Sequence, residues 1–225
     1  MRWLLRIARG VFIVVVLLLA VSLAVNALSY INFDSNYGFL KLKQKAIATG
    51  WYLPGYYAHV LISGIILVAG FFQLFPSSSH RFRRIHRALG YVYVMGILFF
   101  AAPGALVMSL FIGRGPWVLT SFLLQCALWF WFTAVAFNEI RKRNIAAHKR
   151  WMWRSYALTF AAITLRIYIF ATSYKVNLNQ SEAYATLAWL SWVPNLLFVE
   201  IFMNRAWWLG RISTWTQPQS QPPQS

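Results

Sequence analysis

The chain has 225 residues, of which 60% are hydrophobic and only 11% charged, with a formal net charge of +17. Soluble globular proteins carry about 25% charged residues, so this composition excludes a water-soluble domain: there are too few charges to cover its surface. The excess of Lys and Arg does not indicate nucleic acid either, because those residues stand in short clusters between apolar blocks, the pattern that orients membrane proteins.

In chain order six apolar blocks stand out, at Gly10–Tyr30, Tyr56–Phe75, Ala88–Ile112, Pro116–Asn138, Trp151–Ser173 and Ala183–Met203. Each is long enough to cross a bilayer as a helix, which takes about 20 residues. A lone span in lipid must satisfy its own backbone, so helix is the expected form. The expected fold is all-α: a polytopic membrane bundle of six transmembrane helices. Arg2, Arg6 and Arg9 ahead of the first block would also suit a secretory signal cut near Ala27, but the apolar stretch runs on to Tyr30, which favours a retained anchor.

Of the 21 Lys and Arg residues, fifteen fall on the side of the N-terminus and the Arg81–Arg87 and Arg141–Arg154 connections. Five fall on the other side, and Arg166 lies within a span. The positive-inside bias predicts an N-in, C-in chain. Residues 1–30 then form a signal anchor, 31–55 a periplasmic loop, 56–205 a five-helix core and 206–225 a cytoplasmic tail with a polar, proline-rich end. The expected location is a bacterial inner membrane, with anionic head groups against the basic inner face and other membrane proteins as further partners.

Polar residues inside spans are costly in lipid and attract functional hypotheses. His59, Ser63, Gly70 and Gln73 form one helical stripe, and His86, Gly90, Tyr93, Ile97 and Gly104 a second. His148, Ser155, Thr159, Ala162 and Arg166 form a third. Stripes of small and hydroxyl residues are ordinary helix-packing faces; three histidines and an arginine are less so. By depth they sort into an inner cluster, His86, His148, Gln73 and Glu200, and an outer pair, His59 and Arg166. Pro194 and Asn195 mark a kink in the sixth span. His80 reads as a solvated loop residue, and the single Cys126 as a small buried hydrophobe.

His59 with Gly70–Gln73, then His86–Tyr93, His148–Thr159 with Leu165-Arg166, and Pro194-Asn195 with Glu200 resemble a family of bacterial membrane proteins, domain-of-unknown-function family 2306. That resemblance spans about residues 55–205. It implies a multi-pass membrane fold and carries no activity. A weaker likeness is to the transmembrane di-haem cytochrome b superfamily, whose bundles hold b-type haem between histidines on facing helices. His86 and His148 share a depth, and Gly90 leaves clearance beside His86, so the likeness implies at most one haem. Gln73, Tyr93 and Glu200 are then the candidate partners of the ligating histidines. His59 has no histidine opposite it, which departs from the two-haem pattern.

Three classes of function remain open at this point: a redox protein holding one b-type haem or a quinone at His86 and His148, a structural or accessory protein, and a small-solute transporter. Neither a metalloprotease His-Glu pair, a nucleophile elbow nor a phosphate-cradling loop is present to name an enzyme.

Overall fold

A computed structural model describes residues 2–74, 80–172 and 181–215. Among these the chain is helical, without a strand, and six helical stretches are long and apolar enough to cross a membrane. They run over Arg6–Asn32, Tyr52–Gln73, Arg81–Leu110, Pro116–Arg141, Ile145–Thr172 and Glu182–Arg205. The expected blocks are all present, most with longer ends. The largest change is in the third, because the basic run Arg81–Arg87 continues the helix rather than forming a loop. His80 is the first residue of that helix. Lys175 and the tail from Gln217, both used in the sequence reading, lie outside the described residues.

The helices are α1 (Arg2–Leu28), α2 (Gln44–Ile47), α3 (Tyr52–Gln73), α4 (His80–Gly96), α5 (Ala102–Leu110), α6 (Pro116–Arg141), α7 (Ile145–Thr172) and α8 (Ser181–Trp215). The segment between α1 and α3 is folded, not loose: 3-10 turns at Ser29–Asn32 and Gly38–Lys43 lead into α2. Its core is aromatic, with Tyr30, Leu40, Tyr52 and Tyr56 all buried. The Phe39 amide donates to Tyr30 Oη at 3.0 Å. Gly38 has φ +53°, and a Cβ there would meet Tyr30 Oη at 2.5 Å, so only glycine lets the turn close over that ring.

The third span is broken. Between α4 and α5 lies a π turn, Ile97–Ala101, in which the Ala102 amide bonds back to Ile97 O. Pro103 follows at once and lacks the N–H that would close on Phe99, so the α-helical ladder cannot run through this point. Just beyond, Gly104 meets Gly55 of α3. A Cβ on Gly104 would stand 2.5 Å from Gly55 O and 2.7 Å from His59 N. Two glycines bring these backbones into contact, the small-residue packing that suits helices in lipid.

At the centre, five buried side chains from three spans form a hydrogen-bonded network. Tyr93 Oη lies 2.9 Å from Ser155 Oγ and 2.7 Å from Thr159 Oγ1. Trp129 Nε1 donates to Thr159 Oγ1 at 2.9 Å, and Thr133 Oγ1 lies 2.7 Å from Ser155 Oγ. With no water in the bilayer core, such hydroxyls must pair with one another. The backbones of α4 and α7 do not touch; the Tyr93 ring spans the distance between them. Pro194 sits within α8, and Asn195 Nδ2 donates to Ser191 O at 2.9 Å and Thr164 Oγ1 at 3.0 Å, tying the helix to α7.

Candidate functional site

The polar residues occupy two ends of the bundle. At the basic end, His148 Nδ1 donates to Ala136 O at 2.8 Å, and Gln73 Nε2 donates to the backbone carbonyl of His86 at 2.9 Å. His86 and His148 lie within electrostatic range of each other, with Lys149 the next charge. Glu200 is committed elsewhere: it forms a two-pronged ion pair with Arg154, whose Nη2 lies 2.9 Å from Oε2. Asn204 Nδ2 also donates to the Glu200 carbonyl. The Arg154 guanidinium lies over the Trp151 ring, 4.5 Å from its centroid. Glu139 pairs with Lys142 and Asn144.

This end does not fit a haem. The clearance expected beside Gly90 is taken by the Gln73 carboxamide, whose Oε1 would lie 3.4 Å from an added Cβ. Further into the bundle the rings of Tyr93 and Tyr156 both pack on Gly70 of the second span. Tyr93 belongs to the central network, and Glu200 to Arg154, so neither is a hydrogen-bond partner of a histidine. Among the described residues no group of three or more His, Cys, Asp or Glu is placed to hold a metal ion.

The other end, beside the folded 29–51 segment, holds a cavity of about 670 Å³. Five of the spans supply its walls: the first half of α3, the end of α5, the start of α6, the second half of α7 and the start of α8. The end of α1 and the turn at Gly38–Lys43 close the remaining side. His59 and Arg166 both line it, so the expected outer pair shares one space. Each spends a donor on a backbone carbonyl: His59 Nδ1 on Ala101 O at 2.8 Å, Arg166 Nη1 on Ala162 O at 3.0 Å. The Trp129 ring stands edge-on to the imidazole at 6.5 Å.

Electrostatically the cavity is one-signed. Among the described residues Lys43, Arg114 and Arg166 line it, and no carboxylate does. Arg166 lines the cavity and keeps its side chain exposed. Its Nε and Nη2 have no protein acceptor among the described residues. Lys43 Nζ donates to the last carbonyls beyond α5, Phe111 O at 3.0 Å and Ile112 O at 3.3 Å. Burial, and then the nearby charge of Arg114, hold its ammonium below the usual lysine range. The Arg114 guanidinium stacks on Tyr184, 4.4 Å from the ring centroid. Gln125 Nε2 reaches Leu158 O, while its buried Oε1 has no protein partner among the described residues.

Sequence reasoning missed Lys43, Arg114, Gln125, Trp129 and Tyr184 as site residues. The two cations entered only as counts in the charge bias. Gln125 was legible as the lone carboxamide inside the fourth apolar block; Trp129 carried no signal of its own.

Residues 56–203 match a family described as "Predicted membrane protein (DUF2306)". No curated protein and no solved structure matches the chain, so the likeness to di-haem cytochromes b finds no support there. The matched stretch runs from α3 into α8 and holds His59, Gln125 and Arg166, whereas α1 and Lys43 lie outside it. The chain therefore belongs to the DUF2306 family of predicted membrane proteins.

Proposed function

We propose that this membrane protein binds an anionic ligand in the cavity beside the 29–51 segment, with Arg166 as the principal contact. The observation that carries this reading is a cavity of about 670 Å³ lined, among the described residues, by three cations and no carboxylate. Arginine is effectively always charged, and a charge within the span is normally paired. Here two edges of the guanidinium have no acceptor among the described residues, which leaves them for a ligand. A carboxylate or phosphate suits that fork geometry. The neutral walls, chiefly aromatic and aliphatic, are what small-molecule sites use around a few placed polar groups. The charge bias of the connections supports a cavity at the periplasmic face of a bacterial inner membrane, with N- and C-termini inside. The exposed run Arg81, Arg83, Arg84 and Arg87 at the opposite end supports contact with anionic head groups there. A haem or quinone at His86 and His148 finds no comparable support: Gln73 occupies the clearance beside Gly90, and no metal-holding group is present among the described residues.

The test is binding to the purified chain in neutral-lipid nanodiscs, read by native mass spectrometry of retained anions and by titration. Arg166→Gln removes a charge-assisted bond of about 1.5–3 kcal/mol, a loss of about ten- to a hundredfold in affinity. Unchanged retention of the same anions by Arg166→Gln would refute the reading.

A further inference from the structure

The cavity has two kinds of wall. One is the five-helix unit within the family match; the other is α1 with the turn that follows it. α1 packs on α3, with Val16 and Ala20 in the main core, but it has only slight contact to α7 and is the least buried of the six spans. Val11, Phe12, Leu18 and Val25 are exposed, as side chains facing lipid are. Where α1 meets α3 the contact is made by small residues: a Cβ on Gly64 would stand 3.0 Å from Ala27 Cβ and 3.2 Å from Ala24 Cα. Among the described residues no hydrogen bond joins the two helices.

This seam separates two hollows. Gly64 and Ala27 line the cationic cavity. Gly64 and Ala24 also line a second hollow, about 360 Å³ and wholly apolar in character, with Ile65 and Phe72 at its lipid-exposed rim. Three small side chains thus stand between the bilayer side of α3 and the space that holds Arg166. A small, highly charged anion would leave most of the cavity's apolar wall unused, whereas a hydrocarbon chain would cover it.

We propose that the ligand is a single-chain membrane amphiphile with an anionic head, of the fatty-acid or lysophospholipid class, which enters sideways from the bilayer between α1 and α3 and seats its head at Arg166. This rests on the cavity reading above. α1 acts as the gate, and Gly64, Ala24 and Ala27 are where it parts from the core. Among the described residues no hydrogen bond crosses the seam itself, and the Tyr30–Tyr56 contact lies beyond its end, so the cost of opening at Gly64 is chiefly packing.

The experiment uses the full chain with Cys126→Ser, reconstituted in phosphatidylcholine vesicles, and dansyl-undecanoate as probe. Ala27→Cys with Gly64→Cys places two thiols across the seam. With the thiols reduced, the probe should bind and exchange; after oxidation exchange should slow by about tenfold or more, as expected when a gate is locked. The reduced form of the same molecules is the reference, so any effect of the substitutions themselves cancels. Gly64→Val tests the same point without a crosslink, since its side chain wedges the seam and should speed exchange. Equal exchange before and after oxidation, or an unaltered rate in Gly64→Val, overturns lateral entry. Two further arms separate the ligand class and the site. Lysophosphatidate or oleate should displace the probe, and inorganic phosphate should not. If inorganic phosphate binds in an Arg166-dependent way while neither amphiphile does, the amphiphile proposal falls and the anion cavity stands; if none binds, both fall.

Discussion

The imidazole Nδ1 of His59 lies 2.8 Å from the carbonyl oxygen of Ala101, the last residue of the π turn in the third span. A carbonyl only accepts, so Nδ1 carries a proton and Nε2 is the nitrogen left for the cavity. The contact exists because α3 and α5 touch, backbone to backbone, at Gly55 and Gly104. The helix break, the glycine pair and the histidine are one construction.

Gly104→Ala should therefore be costly. Its Cβ would press on Gly55 O and His59 N, which are backbone atoms and cannot rotate away. A loss of about 1–3 kcal/mol is expected from overpacking, read as a lowered unfolding temperature in detergent. Gly10→Ala is the control: nothing lies within 4 Å of a Cβ there, and added helix propensity should leave stability unchanged or slightly raised.

Tyr93→Phe should cost about 1–2 kcal/mol, because Ser155 and Thr159 each lose a bond partner where no water replaces it. The effect should not add to that of Thr133→Val, since Thr133 shares Ser155 with the tyrosine. Unfolding of the two single variants and the double variant measures the coupling; strict additivity would argue against a connected network.

Lys43 predicts a pH dependence. Its ammonium sits below the usual lysine range in the folded chain, from burial and then Arg114, whereas the unfolded chain keeps a value near ~10.4. Between those two values the unfolded state binds more protons, so stability rises with pH across that window and the cost of burying the charge is fully present below it. Lys43→Met should flatten this slope. Ligand affinity should run the other way, falling as pH rises through the lowered pKa and the cation is lost. Urea unfolding and anion titration at matched pH values check the two halves.

Reporter fusions check orientation. Fusions at Asn36 and Gly113 should report the periplasm, and one at Ala147 the cytoplasm. A cytoplasmic signal at Asn36 would invert the assignment of the cavity to the outer face.

The spans were legible because their lengths and compositions admit no other solution in lipid, and the stripes of small and hydroxyl residues do face neighbouring helices. Ser155 and Thr159 show why the stripes mattered: they bond across the bundle to Tyr93, from another stripe. What periodicity could not show was which helices are neighbours. His86 and Glu200 share a depth, yet Glu200 belongs to Arg154 on α7. Lys43, sixteen residues before His59 in the chain, comes to the same cavity only because the 29–51 segment folds back over α3, directed by Gly38 and an aromatic core. A charge count treats Lys43 and Lys45 alike; the turn that ends at Lys43 distinguishes them.

The π turn also sets an index. It holds one more residue per hydrogen-bonded ring than the α-helix on either side, so every residue of α5 is rotated relative to α4 by that surplus. Deleting a single residue between Ile97 and Ala101 would turn α5 by about 100° with no side chain altered at the site itself. Gly104 would leave Gly55, and a bulkier neighbour would be driven against α3. Met108 and Ser109, which face the cavity, would swing out of its wall. Within that five-residue turn, then, chain length matters as much as composition, and a one-residue deletion there should be more damaging than most substitutions in the cavity lining.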